Sequence, residues 1–236
     1  MQCVILAGGL GTRMRPLTYT CPKTLLPVLG RPFAYYQLHW LAAQRITEVV
    51  YAIGHHGDMI RRYWDQERAP VQSLRYVDEG ERLRGTGGAL RLACEQGVLE
   101  DRFFVIYGDS FLPIAFAPVW QAFQSSGLPA LMTVLHNRGE WERSNAKYEA
   151  GRVLTYDKQG GGDLEFVDYG LSAFERRLFE ADSREIFDLA TLLQDLSLRD
   201  SLAGFEVQER FYEIGSPEGL AGFQRYLERE ESAVTS

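Results

Sequence analysis

Short apolar runs alternate with longer mixed stretches through the first half of the chain. The run Val4-Ile5-Leu6 is continuously apolar and then breaks into glycines, which predicts a buried strand followed by a tight loop. Similar runs predict strands at 48–54, 73–79 and 102–107, and the stretches between them predict helices at 33–45, 59–67 and 85–95. This alternation predicts a parallel sheet with helices on both faces, and such sheets bind ligands at the carboxyl ends of their strands.

The pattern changes character in the second half of the chain, where a hairpin and further strands follow one another. The elements predicted there are a helix at 117–126, strands at 130–136, 145–149, 152–157 and 166–174, a helix from Ile186 to about Asp200, and a strand at 204–208. A last helix is predicted with Ser216 as its N-cap and Pro217 at its first position, and the polar tail from Glu228 is expected to fray. We expect the antiparallel strands to be additions on an edge of the parallel sheet.

Composition indicates an ordinary globular α/β protein. The chain has 236 residues, of which 45% are hydrophobic and 24% charged, so it is long enough to bury a sizeable core. No apolar run approaches the roughly 20 residues of a membrane span. Its three scattered cysteines lack C-x-x-C spacing, which argues against a disulfide framework or a zinc site and predicts a cytoplasmic protein. A net charge of −7, without a basic cluster outside the first loop, makes nucleic acid and anionic membrane poor partners.

The first strand leads into a loop that combines glycines with cations, namely Gly8, Gly9, Gly11, Arg13, Arg15 and Lys23. Residues 1–47 contain five Lys or Arg and no Asp or Glu, although the chain as a whole is acidic. Glycines let backbone N–H groups approach a ligand closely and form a concavity that binds anions. The loop therefore predicts a polyphosphate site in preference to a glycine turn with solvated arginines.

Two common phosphate loops do not fit this stretch. A dinucleotide fingerprint requires a third glycine where this chain has Met14, and the second strand ends in Ile53-Gly54-His55 without the acidic residue that would hold a ribose. A P-loop requires Gly-Lys followed by Ser or Thr, and the sequence has none. These mismatches argue against a dinucleotide-dependent oxidoreductase and against a P-loop protein.

The loop does match L-A-G-G-x-G-T-R-x-x-P-L-T followed by P-K, which runs here from Leu6 through Thr18 and continues at Pro22-Lys23. On this match the chain resembles the sugar-1-phosphate nucleotidylyltransferases over nearly all its length, especially the compact bacterial mannose- and heptose-1-phosphate guanylyltransferases. The resemblance implies a Rossmann-like mixed, mainly parallel sheet with helices on both faces and a small antiparallel sugar-binding addition. It also implies one domain over 1–236, with a nucleotide-binding part at 1–127, an acceptor-binding part at 128–215 and a C-terminal helix and tail at 216–236.

The activity implied by the resemblance is transfer of a nucleoside monophosphate from a nucleoside triphosphate to a hexose or heptose 1-phosphate, with release of pyrophosphate. GTP is favoured because Gly85-Thr86-Gly87-Gly88-Ala89-Leu90 looks more like the guanylyl than the thymidylyl relatives. Cytidylyl or uridylyl transfer to another sugar or a non-sugar phosphate stays open, as does a catalytically silent, nucleotide-sensing regulator. Such a regulator would be expected to lose Arg13, Lys23 or Asp109, and all three are present. Either a monomer or a homodimer is compatible with the sequence.

The resemblance assigns catalysis to charge and positioning. In-line attack by a sugar-phosphate oxygen needs no Ser-His-Asp or Cys-His arrangement, because the nucleophile arrives ionised. Arg13 is expected to face the departing pyrophosphate, Lys23 the α-phosphate and Asp109 a Mg²⁺ ion. A second metal ligand is expected at Glu213, where many relatives have Asp, so that binding of one or of two Mg²⁺ ions stays open.

The remaining site residues also come from the resemblance. Nucleotide binding is expected from Leu6, Ala7, Gly8, Gly9, Gly11, Thr12, Glu79, Gly85, Thr86 and Gly88. Acceptor binding is expected from Asn145, Lys158, Asp168 and Gly170. Lys158 aligns roughly with the lysine of the family's E-K-P motif, although Gln159 replaces the proline.

Overall fold

A mixed sheet forms the centre of the computed structural model, which describes residues 1–139 and 143–234. The strands are β1 (Gln2–Ala7), β2 (Pro27–Val28), β3 (Arg31–Pro32), β4 (Glu48–Ile53), β5 (Ser73–Asp78), β6 (Arg102–Tyr107), β7 (Ser110–Phe111), β8 (Ala130–His136), β9 (Ala146–Glu149), β10 (Arg152–Tyr156), β11 (Phe166–Glu175), β12 (Leu202–Val207) and β13 (Tyr212–Glu213). The helices are α1 (Phe33–Ala43), α2 (Gly57–Gln66), α3 (Gly85–Glu95), α4 (Phe116–Ser126), α5 (Arg177–Ala181), α6 (Leu189–Leu198) and α7 (Pro217–Val234). Single-turn 3₁₀ helices lie at Thr12–Met14, Leu17–Tyr19 and Lys23–Leu25.

Nine of the described strands form this sheet, in the order β5-β4-β1-β6-β11-β8-β12-β10-β9. Strands β5, β4, β1 and β6 run parallel, as the alternation predicted, with Val4 of β1 paired to Val50 on one side and Val105 on the other. Successive residues of β1 face opposite sides of the sheet. Ile5 packs in a core beneath α1, α2 and α4, whereas Val4 packs in a second core beneath α3, α5 and α6. The predicted helices on both faces are therefore confirmed.

The position expected for one antiparallel strand is wrong. Strand β11 is not an edge addition, because it lies between β6 and β8 and is antiparallel to both. Ala173 faces the core under α4, and Phe174 faces the core under α5, so both faces of this strand are apolar and buried. A strand buried on both faces is stable inside a sheet and not at its edge. The β9–β10 hairpin does lie at the edge, as predicted.

Three predicted boundaries also change. Helix α6 begins at Leu189 and not at Ile186, because the carbonyl of Phe187 instead accepts N–H groups from the start of α3. The strand predicted at 204–208 is β12, which begins two residues earlier, at Leu202, and ends at Val207. The fraying expected from Glu228 is not observed, since α7 continues to Val234.

Helix α7 is anchored by an aromatic cluster that also positions the chain beside β6. Phe223 of α7 contacts Phe33 of α1 and Phe111 of β7, with ring centroids 5.2 Å and 4.9 Å apart. The predicted N-cap is confirmed, because Ser216 Oγ accepts the N–H of Gly219 at 3.0 Å. The cluster holds the start of α7 and the preceding β13 against the end of β6.

Among the described residues, no helix combines the length and the apolar composition that crossing a bilayer requires.

Candidate active site

A cavity of about 280 Å³ opens where β1, β4, β5 and β6 end. Its lining includes ten residues predicted to bind nucleotide or to catalyse: Leu6, Ala7, Gly8, Gly9, Gly11, Lys23, Glu79, Gly85, Thr86 and Asp109. It also includes Thr24, Ala52, Leu83, Ala89, Tyr107, Gly108 and Asp188. The cavity lies at the carboxyl ends of parallel strands, where the sheet topology predicts a ligand.

Lys23 and Asp109 form an ion pair at the edge of this cavity, with the ammonium donating to Asp109 Oδ2. Asp109 follows β6, and Lys23 begins the 3₁₀ helix that crosses beside it. Thr24 Oγ1 donates to the carbonyl of Gly108 at 3.0 Å, which ties the two segments together. The Lys23 and Asp109 side chains are only 21% and 15% exposed, so solvent screens their charges weakly.

Glu213 reaches the same region from the far end of the sequence. Strand β13 pairs with β7 so that Glu213 lies opposite Ser110, and the N–H of Ile214 donates to the Asp109 carbonyl at 2.9 Å. Ser110 Oγ donates to Glu213 Oε1 at 3.5 Å. Asp109 directly precedes β7 and Glu213 ends β13, so the two residues predicted to bind metal belong to the same two-stranded ribbon or its flank.

Arg13 lies beside this ribbon and lines an adjoining cavity of about 520 Å³ together with Glu213 and Gly215. A Cβ atom on Gly215 would lie 3.2 Å from an Arg13 guanidinium nitrogen and 3.4 Å from Asp109 Oδ2. The absence of a side chain at Gly215 therefore lets the Arg13 cation approach the Asp109 carboxylate. Met14 is 2% exposed and fixes the 3₁₀ turn that presents Arg13.

Glu79 closes the far side of the main cavity, after the end of β5. Its Oε2 accepts the N–H of Arg84 at 2.5 Å, and its Oε1 lies where a Cβ atom on Gly8 would be. Burial raises the pKa of the Glu79 carboxyl, and the hydrogen bond from Arg84 partly opposes that shift. The absence of a side chain at Gly8 lets the Glu79 carboxylate occupy this position.

Two predicted nucleotide-binding residues do not line the cavity. Thr12 begins the 3₁₀ helix that carries Arg13. Gly88 lies within α3, where its N–H donates to the carbonyl of Phe187 at 3.2 Å and a Cβ atom would lie 2.5 Å from the Glu185 carbonyl oxygen. Their part in binding nucleotide stays a prediction.

Three of the four predicted acceptor residues form one hydrogen-bonded chain, which consists of Asn145, Asp168 and Gly170. Asn145 Oδ1 accepts the N–H of Asp168 at 2.8 Å, and Asp168 Oδ1 accepts the N–H of Gly170 at 2.9 Å. Gly170 has a φ of +95°, at a point where the register of β11 against β8 shifts. Tyr156 Oη donates to Asp168 Oδ2 at 3.4 Å. Lys158 lies apart from this chain and pairs with Asp188, Nζ to Oδ2, at 3.3 Å.

Tyr107 lies near both the predicted catalytic residue Asp109 and the predicted acceptor residue Asp168. Burial raises the pKa of its hydroxyl, and the charges of neighbouring carboxylates raise it further; these belong to Asp168, Asp109, Asp188 and Glu213, in order of decreasing effect. Of these four carboxylates, Asp109 and Asp188 line the main cavity and Glu213 lines the adjoining one. Such a concentration of negative charge favours a bound cation.

Comparison with known proteins agrees with this geometry. The family model described as nucleotidyl transferase matches residues 2–145. A D-glycero-alpha-D-manno-heptose 1-phosphate guanylyltransferase of Campylobacter jejuni is 33% identical over 94% of this chain and 98% of its own length. A protein of the same name from Aneurinibacillus thermoaerophilus is 27% identical over 97% of this chain and 99% of its own.

The chain belongs to the nucleotidyl transferase family.

Solved structures agree on the fold of this nucleotidyl transferase. HddC from Yersinia pseudotuberculosis, complexed with GMP-PN, superposes with a TM-score of 0.80 at 21% identity and covers 96% of this chain and 99% of its own. The inositol-1-phosphate CTP transferase from T. maritima gives a TM-score of 0.75 at 18% identity, with 92% and 90% covered. The predicted fold class is confirmed.

The donor set of the nucleotidyl transferase suits a hard divalent cation. In the described residues, no group of three or more His, Cys, Asp or Glu side chains is arranged to hold a metal ion. Mg²⁺ needs fewer protein ligands, because it commonly binds one or two carboxylates together with substrate phosphates and water. Asp109 and Glu213 fit this requirement, because Glu213 pairs with Ser110, the residue after Asp109, and the N–H of Ile214 donates to the Asp109 carbonyl.

Asp188 and Tyr107 are cavity residues that the sequence did not point to. Asp188 falls inside the helix predicted from Ile186, where a polar residue looks like ordinary surface. Tyr107 ends an apolar strand and looks like core. Only the fold reveals that both side chains meet the cavity.

Proposed function

We propose that this nucleotidyl transferase transfers GMP from GTP to a heptose or hexose 1-phosphate and releases pyrophosphate. The names of relatives matching nearly the full chain support the heptose acceptor. The mannose-1-phosphate guanyltransferase of Aspergillus oryzae, 37% identical over 46% of this chain and 30% of its own length, supports guanylyl transfer with a hexose as the second choice.

One observation carries the proposal. Lys23 and Asp109 lie side by side in a glycine-lined cavity at the carboxyl ends of parallel strands, and β13 adds Glu213 to them. This arrangement combines a cation for a phosphate with carboxylates for a metal ion. It contains the groups that a phosphoryl transfer needs, because that reaction depends on positioning and on neutralising charge.

Each charged side chain has a distinct role in this proposal. Lys23 exchanges its bond with Asp109 for one with the α-phosphate, where it stabilises the charge that develops during attack. Arg13 faces the adjoining cavity and holds the departing pyrophosphate through its planar fork of donors. The attacking sugar-phosphate oxygen is already ionised, so no side chain has to remove a proton.

Asp109 and Glu213 would hold Mg²⁺ in this proposal. The ion would supply positive charge that neutralises the phosphate oxygens. The backbone around Gly8, Gly9 and Gly11 would cradle the phosphates, with Glu79, Gly85 and Thr86 around the base. The chain of Asn145, Asp168 and Gly170 would bind the acceptor sugar, and Lys158 its phosphate. We assign the protein to the cytoplasm, which the three free cysteines support.

The experiment is pyrophosphate release in the presence of Mg²⁺. GTP, CTP, UTP, ATP and dTTP are each combined with mannose, glucose, galactose and heptose 1-phosphates, with Asp109→Asn as the control. We expect release that requires GTP and a heptose or mannose 1-phosphate together and is lost in the control. Release with a different nucleotide would overturn the guanylyl specificity, and silence across the panel would overturn the transferase assignment for these acceptors.

A further inference from the structure

Asp188 occupies a helix N-cap position without acting as a cap. It precedes α6 with extended backbone angles, φ −82° and ψ 140°, which is the usual conformation of a capping residue. Its side chain makes no capping hydrogen bond, and it lines the main cavity instead. The free N–H groups of α6 are met in part by another residue, since Thr86 Oγ1 accepts the N–H of Leu189 at 2.8 Å. The Asp188 carboxylate is therefore available to a ligand in the cavity.

The backbone around Asp188 is held firmly against the start of α3. The N–H of Phe187 donates to the Arg84 carbonyl at 3.0 Å, and the Phe187 carbonyl accepts the N–H of Gly87 at 2.9 Å. A Cβ atom on Gly85 would lie 3.4 Å from Asp188 Oδ1 and 2.7 Å from the Phe187 carbonyl oxygen. This close packing means that the carboxylate is aimed by fixed backbone, and preorganised groups bind with a small entropic cost.

Among the residues that the structure describes, this carboxylate forms an ion pair with the side chain of Lys158. Lys158 Nζ lies 3.3 Å from Asp188 Oδ2, and the two side chains are 60% and 51% exposed. An ion pair this exposed is weak, so a ligand can displace it readily. When Lys158 moves to a phosphate, both oxygens of Asp188 become available.

We propose that Asp188 accepts hydrogen bonds from sugar hydroxyl groups of a bound substrate, because its carboxylate does not cap α6 and instead lines the nucleotide cavity. An ionised carboxylate offers only acceptors, and a pair of neighbouring hydroxyls offers two donors at matching spacing. Both substrates of the proposed reaction carry such hydroxyls, the ribose of the nucleotide and the ring of the acceptor. The inference rests on the proposed function for the identity of these substrates.

The test compares Asp188→Asn with substrates that lack single hydroxyls. GTP is replaced by 2′-deoxy- or 3′-deoxy-GTP, and the acceptor by its ring-deoxy 1-phosphates, with kcat/KM measured for each pair. Asp200→Asn is the matched control, since Asp200 is an exposed residue remote from the cavity whose partner is Arg152. We expect Asp188→Asn to lower kcat/KM about ten- to a hundredfold with full substrates, the range for a hydrogen bond to a charged group.

The deoxy substrates identify the hydroxyl. If Asp188 binds the ribose, the penalty of Asp188→Asn disappears with a deoxy-GTP; if it binds the acceptor, the penalty disappears with a deoxy-sugar phosphate. A penalty that is equal for every analogue overturns the inference.

A second arm separates binding from a role in holding Lys158. Asp188→Asn is combined with Lys158→Met, and a double variant no worse than Lys158→Met alone would show that Asp188 only positions the lysine, which also overturns the inference.

Calorimetric binding of GTP and of each sugar 1-phosphate, with their deoxy analogues, supplies the same comparison without turnover. Failure of the wild-type protein to turn over any pair would therefore refute the proposed function while the binding comparison still decides the role of Asp188.

Discussion

Replacing Asp109 by Asn removes one negative charge from the cavity and leaves the side-chain shape nearly unchanged. The lost ion pair with Lys23 is partly buried, with side-chain exposures of 15% and 21%. Exposed pairs contribute about 0 to 1 kcal/mol, and breaking a fully buried pair costs about 3 to 5 kcal/mol. The Asn amide oxygen can still accept from the lysine, and the repulsion from Glu213 is relieved. We therefore expect the free energy of unfolding to fall by only about 1 to 2 kcal/mol.

The effect of this substitution on activity should be much larger than its effect on folding. A neutral amide is a poor ligand for Mg²⁺, so the substitution should weaken the metal site proposed at Asp109. Removing one electrostatic stabiliser of a transition state costs about a hundredfold or more in rate. We expect Asp109→Asn to lower pyrophosphate release by at least about that factor.

Two measurements on the same preparations separate the effects. Pyrophosphate release gives kcat and KM, and urea unfolding gives the free energy of unfolding. Asp101→Asn is the matched control, because Asp101 forms a 2.7 Å ion pair with Arg176 on the exposed surface. We expect a loss of about a hundredfold. If Asp109→Asn instead keeps its activity within about threefold of wild type, the assignment of Asp109 to catalysis is refuted. A collapse of the unfolding midpoint would instead show that Asp109 is mainly structural.

Three further predictions follow from the structure. Arg13→Ala should lower the rate at least about a hundredfold while GTP still protects the protein from thermal unfolding, and near-normal turnover would contradict its role. Gly87→Ala should reduce the free energy of unfolding by about 1 to 3 kcal/mol in urea, because the new Cβ would overlap the ring of Phe187, whose Cζ would be 2.8 Å away. Burial raises the pKa of Glu79 above its usual value near 4.5, so the folded state holds this proton more tightly and loses stability as pH rises through the raised pKa. Glu79→Gln should therefore flatten this part of the stability profile measured by unfolding at several pH values, and an unchanged slope would refute the argument.

The local pattern was sufficient for much of the fold and for one wall of the site. The glycine and cation loop from Gly8 to Lys23 and the strand ending at Asp109 are continuous segments, so their spacing indicates both their structure and their chemistry. The β–α alternation predicted the parallel half of the sheet, because a helical crossover returns the chain to the same end of the sheet and the next strand then runs in the same direction. Glu213 was identified from the sequence motif around it, but nothing local predicted its distance from Asp109.

Only the tertiary structure decided how distant segments meet. The place of β11 inside the sheet depends on which strands bury its two apolar faces, and a strand's own sequence shows that it is apolar without showing its neighbours. The same holds for Asp188, whose position in the cavity follows from hydrogen bonds between its segment and α3. These contacts join residues that are far apart in the chain, and their geometry is set by packing of the whole domain. For that reason the sequence determined the phosphate loop and the parallel strands of the first half, whereas the approach of β13 with Glu213 to the Asp109 segment and the position of Asp188 in the cavity required the folded chain.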